Sequence, residues 1–138
     1  HGVANDGLNL ARQLAMTTYR TIEEFADRFN AERPVEQYLE RCGVRYVETF
    51  TPERILCLSQ SIDSHCIRPR DVRVLTTLVA IEGDAIAPPW QIRTLAREIG
   101  ERATLVQIHS RYGHDAFLKE TGALSEILEQ TLPQEVSL

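Results

Sequence analysis

The sequence predicts an α/β protein in which a helical insertion precedes the end of a parallel sheet. Apolar residues recur at helical spacing through roughly the first half of the chain, and the period changes at Val74 to Ile81, which is β-branched and apolar on both faces. Strand-like and helix-like stretches then alternate to the C-terminus. Helices followed by strand, helix, strand, helix is the order of parallel strands with their crossover connections. A parallel strand covered on both faces reads as a continuous apolar run.

Taken in order, Asp6 to Arg20 reads as a helix capped by Asp6, with Leu10, Ala11, Leu14 and Ala15 at helical spacing. Thr21-Ile22-Glu23-Glu24 has the form of a capping box, and Phe25 and Phe29 lie four apart behind it, so a second helix starts there. Pro34 opens a third stretch through Tyr38 and Leu39 that Gly43 is expected to end. Thr51-Pro52 supplies a cap and a first-turn proline for a fourth, carrying Ile55, Leu58 and Ile62.

Val74 to Ile81 is the first strand, and Glu82-Gly83-Asp84 is the turn that follows it. Pro88-Pro89 leads into a helix bearing Ile92, Leu95 and Ile99, closed by Gly100, after which Ala103 to Ile108 forms the second strand. Leu124, Ile127, Leu128 and Leu132 mark a final helix, and the tail from Pro133 reads as frayed. Two strands alone leave rows of unpaired backbone groups at their edges, so further strands are expected upstream of His1.

A chain of 138 residues, 43% hydrophobic and 25% charged, suffices for one ordinary core. Its formal charge of −5 and its scattered arginines give no basic stripe, so neither nucleic acid nor an anionic membrane is an expected partner. The apolar run Leu78 to Ile81 is far shorter than the roughly 20 residues of a membrane span, and no basic-then-apolar leader is visible. Cys42, Cys57 and Cys66 are odd in number and lack zinc-site spacing, as do His65 and His109, so no metal is expected and a reducing cytoplasm is.

The chemistry converges on two loops. Asp84 sits beyond the first strand, where catalytic groups of open α/β sheets gather, and His114 lies in Tyr112-Gly113-His114-Asp115 beyond the second. Neighbouring loops would form an Asp–His dyad, in which the carboxylate fixes the imidazole tautomer while the other ring nitrogen takes a proton from a hydroxyl nucleophile. The same positions also suit an acid that merely ends a strand and a histidine that merely caps a helix. No Gly-x-Ser-x-Gly elbow occurs, and Ser59, Ser61, Ser64, Ser110 and Ser125 lack the small flanking residues of such a turn, so the nucleophile is expected outside this chain.

Several runs carry a resemblance across nearly the whole chain. They are Gly7-Leu8-x-x-Ala11-Arg12-x-x-Ala15-Met16-x-x-Tyr19-Arg20, Phe25 to Phe29, Val35-Glu36-x-Tyr38-Leu39, Ser61-Ile62-Asp63, Glu82-Gly83-Asp84 and Tyr112-Gly113-His114-Asp115-Ala116-Phe117-Leu118. Together they resemble the homoserine O-acetyltransferase and O-succinyltransferase family of the α/β-hydrolase superfamily. The resemblance implies that residues 1–70 are the helical lid and residues 71–138 the C-terminal strand-helix-strand-helix part of the core. It implies that Asp84 and His114 are the acid and base of a catalytic triad, and that Arg12, Tyr19 and Asp115 hold the amino-acid substrate.

An independent reading of spacing agrees in part: Arg12 and Tyr19 are seven apart, two turns along one helix face, where a guanidinium can meet a carboxylate. A solvated arginine and a core tyrosine remain the alternative for that pair. The resemblance further implies acyl transfer from acyl-CoA to L-homoserine through an acyl-serine, in methionine synthesis, with acyl-CoA as co-substrate and no cofactor. Succinyl is favoured over acetyl by Ser61-Ile62-Asp63, Glu82-Gly83-Asp84 and the run from Gly113 to Glu120, with L-serine left open as acceptor. A homodimer through the lid is implied as well. The chain begins inside the family pattern, and Ala85-Ile86-Ala87-Pro88-Pro89 matches it loosely. The chain alone is therefore expected to be inactive, and an ester hydrolase of the same fold or a non-catalytic dimerising piece are the rival readings.

Overall fold

The computed structural model describes residues 2–132; His1 and the tail from Pro133, read above as frayed, lie outside the described residues. The chain divides into two compact units, one ending at Arg68 and one starting at Pro69.

The first unit is helical: α1 (Val3–Thr18), α2 (Ile22–Arg28), α3 (Val35–Thr49) and α4 (Pro52–Asp63). α1 starts earlier than the sequence predicts. Asp6 is not its cap but lies in its first turn, where the helix dipole favours an acid, and the Gly2 carbonyl accepts from the Asn5 and Asp6 amides at 2.9 and 3.3 Å. Leu8 and Met16 are buried whereas Leu10 and Leu14 face outward, so the inner face of α1 differs from the one the leucine spacing marks.

Two caps are as expected. The Thr21 hydroxyl accepts from the Glu24 amide at 3.2 Å, and the Thr51 hydroxyl accepts from the Arg54 amide at 3.3 Å with Pro52 at the first helical position. Gly43, by contrast, does not end α3, which continues to Thr49. It lies where α1 packs against α3: a Cβ built there would stand 2.9 Å from the Asn9 carbonyl oxygen and overlap the Asn9 side chain. A glycine that allows close helix contact carries the same letter as one that stops a helix.

The second unit holds β1 (Thr76–Glu82), α5 (Pro89–Ile99), β2 (Ala103–His109), α6 (Ala116–Lys119) and α7 (Thr121–Thr131). β1 and β2 pair in parallel, in register from Thr76 with Ala103 to Glu82 with His109. α5 is the crossover and packs on both strands, ending at Gly100 with φ 77°. Ala80, Ile81 and Ile99 are buried in this unit, Ala80 and Ile81 on opposite faces of the strand pair because they are consecutive in β1.

β1 begins at Thr76 rather than Val74, and Val74 and Leu75 are exposed outside the ladder. The single-turn segment Gly113–Asp115 and α6 are elements that the apolar spacing did not mark. The architecture is mixed helix and sheet with a parallel strand pair, compatible with part of an α/β fold. Among the described residues no helix is long and apolar enough to cross a membrane.

Candidate active site

Asp84 is positioned by the end of β1. Gly83 takes φ 86°, a value that favours glycine, and the Asp84 amide then bonds back to the Ile81 carbonyl at 3.2 Å. This turn folds the carboxylate inward, where the residue keeps only 6% exposure. Its Oδ1 accepts from the Ile86 amide at 2.8 Å and the Ala87 amide at 2.9 Å, an Asx turn extended by one residue. Its Oδ2 lies 2.9 Å from Nδ1 of His114.

These contacts decide the protonation of the pair. Burial pushes the Asp84 carboxyl up, but the Ala87 amide, the His114 ring and the Ile86 amide together pull it below its ordinary value. An ionised carboxylate only accepts, so the His114 nitrogen facing it carries the proton and Nε2 is the basic atom of that tautomer. The His114 side chain retains 32% exposure against 4% for Asp84, so the acid is enclosed while the imidazole reaches the surface. The Phe117 ring meets the imidazole edge-on at 5.8 Å.

The loop bearing His114 leaves β2 at Ser110, which is 3% exposed. The Ser110 hydroxyl donates to Glu120 Oε1 at 2.7 Å and accepts from the Tyr112 amide at 3.0 Å. Gly113 adopts φ 56°, and the Asp115 amide closes a turn on the Tyr112 carbonyl at 3.1 Å. Asp115 therefore sits beside His114 on one turn. The sequence analysis weighs Ser110 only as a nucleophile and gives Glu120 no role of its own, since a serine two residues before an amide it caps is a weak local signal.

A second carboxylate–imidazole pair lies on the same strands. His109 Nδ1 is 3.0 Å from Glu82 Oε2, and the Gln107 amide donates to Glu82 Oε1 at 2.6 Å. Hydrogen bonds from His109 and then Gln107 hold the Glu82 carboxyl below its usual value. Their side chains are 82% and 49% exposed, so water screens the pair and it has the character of a surface ion pair. Burial distinguishes Asp84–His114 from it.

Arg12 and Tyr19 belong to the first unit and come together there. The Arg12 guanidinium lies 5.6 Å from the Tyr19 ring centroid and 4.9 Å from that of Tyr46, which the sequence reading did not single out. Arg12, Met16, Cys42, Arg45, Tyr46 and Thr49 line a concavity of about 270 Å³. Cys42, Cys57 and Cys66 are free thiols, and no group of three or more metal-ligating side chains occurs among the described residues.

No family model matches the chain. Individual relatives do. Homoserine O-succinyltransferase of Xanthomonas campestris pv. campestris is 42% identical across 91% of this chain, a stretch equal to 37% of that protein. Homoserine O-acetyltransferase of Thermus thermophilus is 38% identical across 94% of the chain and 37% of its own length. Homoserine O-acetyltransferase of Nostoc punctiforme is 33% identical across 91% of the chain and 41% of its own length. The chain thus spans well under half the length of the curated relatives it matches, and those relatives are homoserine O-succinyltransferases and O-acetyltransferases.

Proposed function

We propose that the full-length protein containing this chain transfers an acyl group from acyl-CoA to the hydroxyl of L-homoserine, as a step of methionine biosynthesis. The observation that carries this reading is the enclosed Asp84 carboxylate 2.9 Å from the His114 imidazole, in a chain 42% identical to a homoserine O-succinyltransferase. The parallel pair with catalytic groups beyond its carboxyl ends supports an α/β-hydrolase core.

In this mechanism a serine from the rest of the protein is the nucleophile. His114 Nε2 takes the serine proton as the hydroxyl oxygen attacks the thioester carbonyl, and gives it to the departing CoA sulfur. The acyl-serine is then attacked by the homoserine hydroxyl, whose proton passes to His114 and returns to the serine as the O-acyl ester leaves. Asp84 holds the ring and stabilises the imidazolium formed in each half-reaction. Arg12 and Tyr19 bind the homoserine carboxylate, and Asp115 binds its ammonium.

Succinyl is the favoured acyl group, supported by the succinyltransferase relative at 42% identity beside an acetyltransferase at 38%. The helical unit serves as lid and as the contact of a homodimer, a reading supported by the outward-facing Leu10 and Leu14 of α1 and Leu58 and Ile62 of α4. Three free cysteines support a cytoplasmic setting. The test is CoA-thiol release by the full-length protein with succinyl-CoA or acetyl-CoA, with and without L-homoserine. Acceptor-dependent release that disappears in His114→Ala is expected. Release indifferent to homoserine identifies a thioester hydrolase instead.

A further inference from the structure

We infer that Ser110 and Glu120 form a staple that positions the His114 imidazole, and that this link governs turnover rather than substrate binding. The inference rests on the roles given to Asp84 and His114 above.

The acid and the base are held by separate loops. Asp84 Oδ1 is held by the Ile86 and Ala87 amides of its own loop. His114 lies midway along the segment that leaves β2 at Ser110 and enters α7 at Glu120. Between those ends stand one 3₁₀ turn and the four-residue α6, in which only Gly113 and Ala116 are buried. Elements so short have few intrahelical bonds and little apolar surface with which to hold themselves in place.

A side-chain link joins the two ends of the segment. The Ser110 hydroxyl is enclosed, donates to the Glu120 carboxylate at 2.7 Å and accepts from the Tyr112 amide at 3.0 Å, two residues before His114. A hydroxyl bonded to a carboxylate is among the stronger hydrogen bonds available to side chains. Glu120 is itself anchored: its amide donates to the Ala116 carbonyl at 2.8 Å, and its carbonyl accepts from the Leu124 amide at 3.0 Å, joining α6 to α7. The strand end and the helix start are thus tied together, with the histidine on the span between them. Ser110 and Glu120 are positioning residues that act through the backbone of that span.

The test uses the full-length protein with acyl-CoA and L-homoserine. Ser110→Ala and Glu120→Ala are each expected to lower kcat by about 10- to 100-fold, the sensitivity of proton transfer to a misplacement on the order of 1 Å, with KM for both substrates nearly unchanged. The double variant is no slower than the worse single one, because both remove one link. The downfield proton signal of His114 Nδ1–H broadens in both, while Ser110→Thr and Glu120→Gln, which keep donor and acceptor, restore kcat and the signal. Folded Ser110→Ala and Glu120→Ala proteins with wild-type kcat and an unbroadened signal overturn the staple, even where their stability has fallen. If the alanine variants do not fold, Glu120→Asp withdraws the carboxylate by one methylene and is judged by the same two readouts. His114→Ala separates the two levels: retained turnover there removes the assignment of His114 itself, whereas its loss beside unaffected staple variants removes only the staple.

Discussion

Gly43 of α3 faces the backbone of Asn9 in α1 so closely that a Cβ at Gly43 would stand 2.9 Å from the Asn9 carbonyl oxygen. The Asn9 side chain, which accepts from Gln13 Nε2 at 2.7 Å, blocks the same space. Gly43→Ala must therefore push α1 and α3 apart, although alanine is the better helix former. A loss of about 1–3 kcal/mol is expected, the usual cost of overpacking, seen as a lower urea midpoint. An alanine variant as stable as wild type shows that the two helices part freely.

The Arg20–Glu24 pair anchors the start of α2. Arg20 Nη1 lies 2.6 Å from Glu24 Oε1, with side-chain exposures of 11% and 9%, and the Glu24 Oε2 atom is buried with no hydrogen-bond partner among the described residues. Removing the arginine leaves a buried carboxylate whose other cationic neighbour, Arg28, is more distant, at 3.8 Å. Arg20→Ala is expected to cost about 3–5 kcal/mol in urea unfolding. Arg20→Met combined with Glu24→Leu recovers most of that loss, since no charge then remains to be buried. Equal losses in the single and double variants contradict this account.

Asp84 links stability to pH with a definite sign. Its carboxyl lies below the ordinary value, so the fold favours the ionised form. The stability it contributes is complete above the unfolded aspartate value of about 3.9 and is lost as pH falls through the depressed folded value. Asp84→Asn removes this contribution, so its urea midpoint changes less than that of wild type between about pH 5 and pH 2.5. At neutral pH the same variant presents the wrong group to His114, and a fall in kcat of about 10⁴-fold is expected. Parallel midpoint curves for the two proteins are the outcome that rejects the linkage.

These cases show what was legible in the sequence. Thr21 and Thr51 were readable as caps because a hydroxyl and the amide three residues on are joined by local geometry alone. Asp84 and His114 were readable as positions beyond strand ends, but their contact depends on the parallel register that sets Glu82 beside His109, and a one-residue slip would face the loops differently. Gly43 was misread because its role depends on Asn9 in another helix, and Leu10 and Leu14 because periodicity finds an apolar face without saying what covers it. Glu120 was invisible since an acid near a helix start looks like surface until Ser110 is seen beneath it.

Arg12 provides the sharpest test of acceptor recognition. Its guanidinium lies 5.6 Å from the Tyr19 ring centroid and 4.9 Å from that of Tyr46, on the wall of the concavity it shares with Arg45 and Thr49. A guanidinium lying over aromatic rings can offer its in-plane N–H donors to a carboxylate two at a time, a geometry that an ammonium does not reproduce. Arg12→Lys keeps the charge but loses both the stacking and the two-pronged bond. Its KM for L-homoserine is expected to rise about 10- to 100-fold, with kcat changed far less, because the lost interaction is made equally in the ground and transition states. Tyr46→Leu removes one ring and raises the same KM by several-fold, about the 0.5–1 kcal/mol of a cation–π contact. The KM for acyl-CoA serves as the internal control: a rise there equal to that for homoserine makes Arg12 part of general lid integrity and not of the acceptor site.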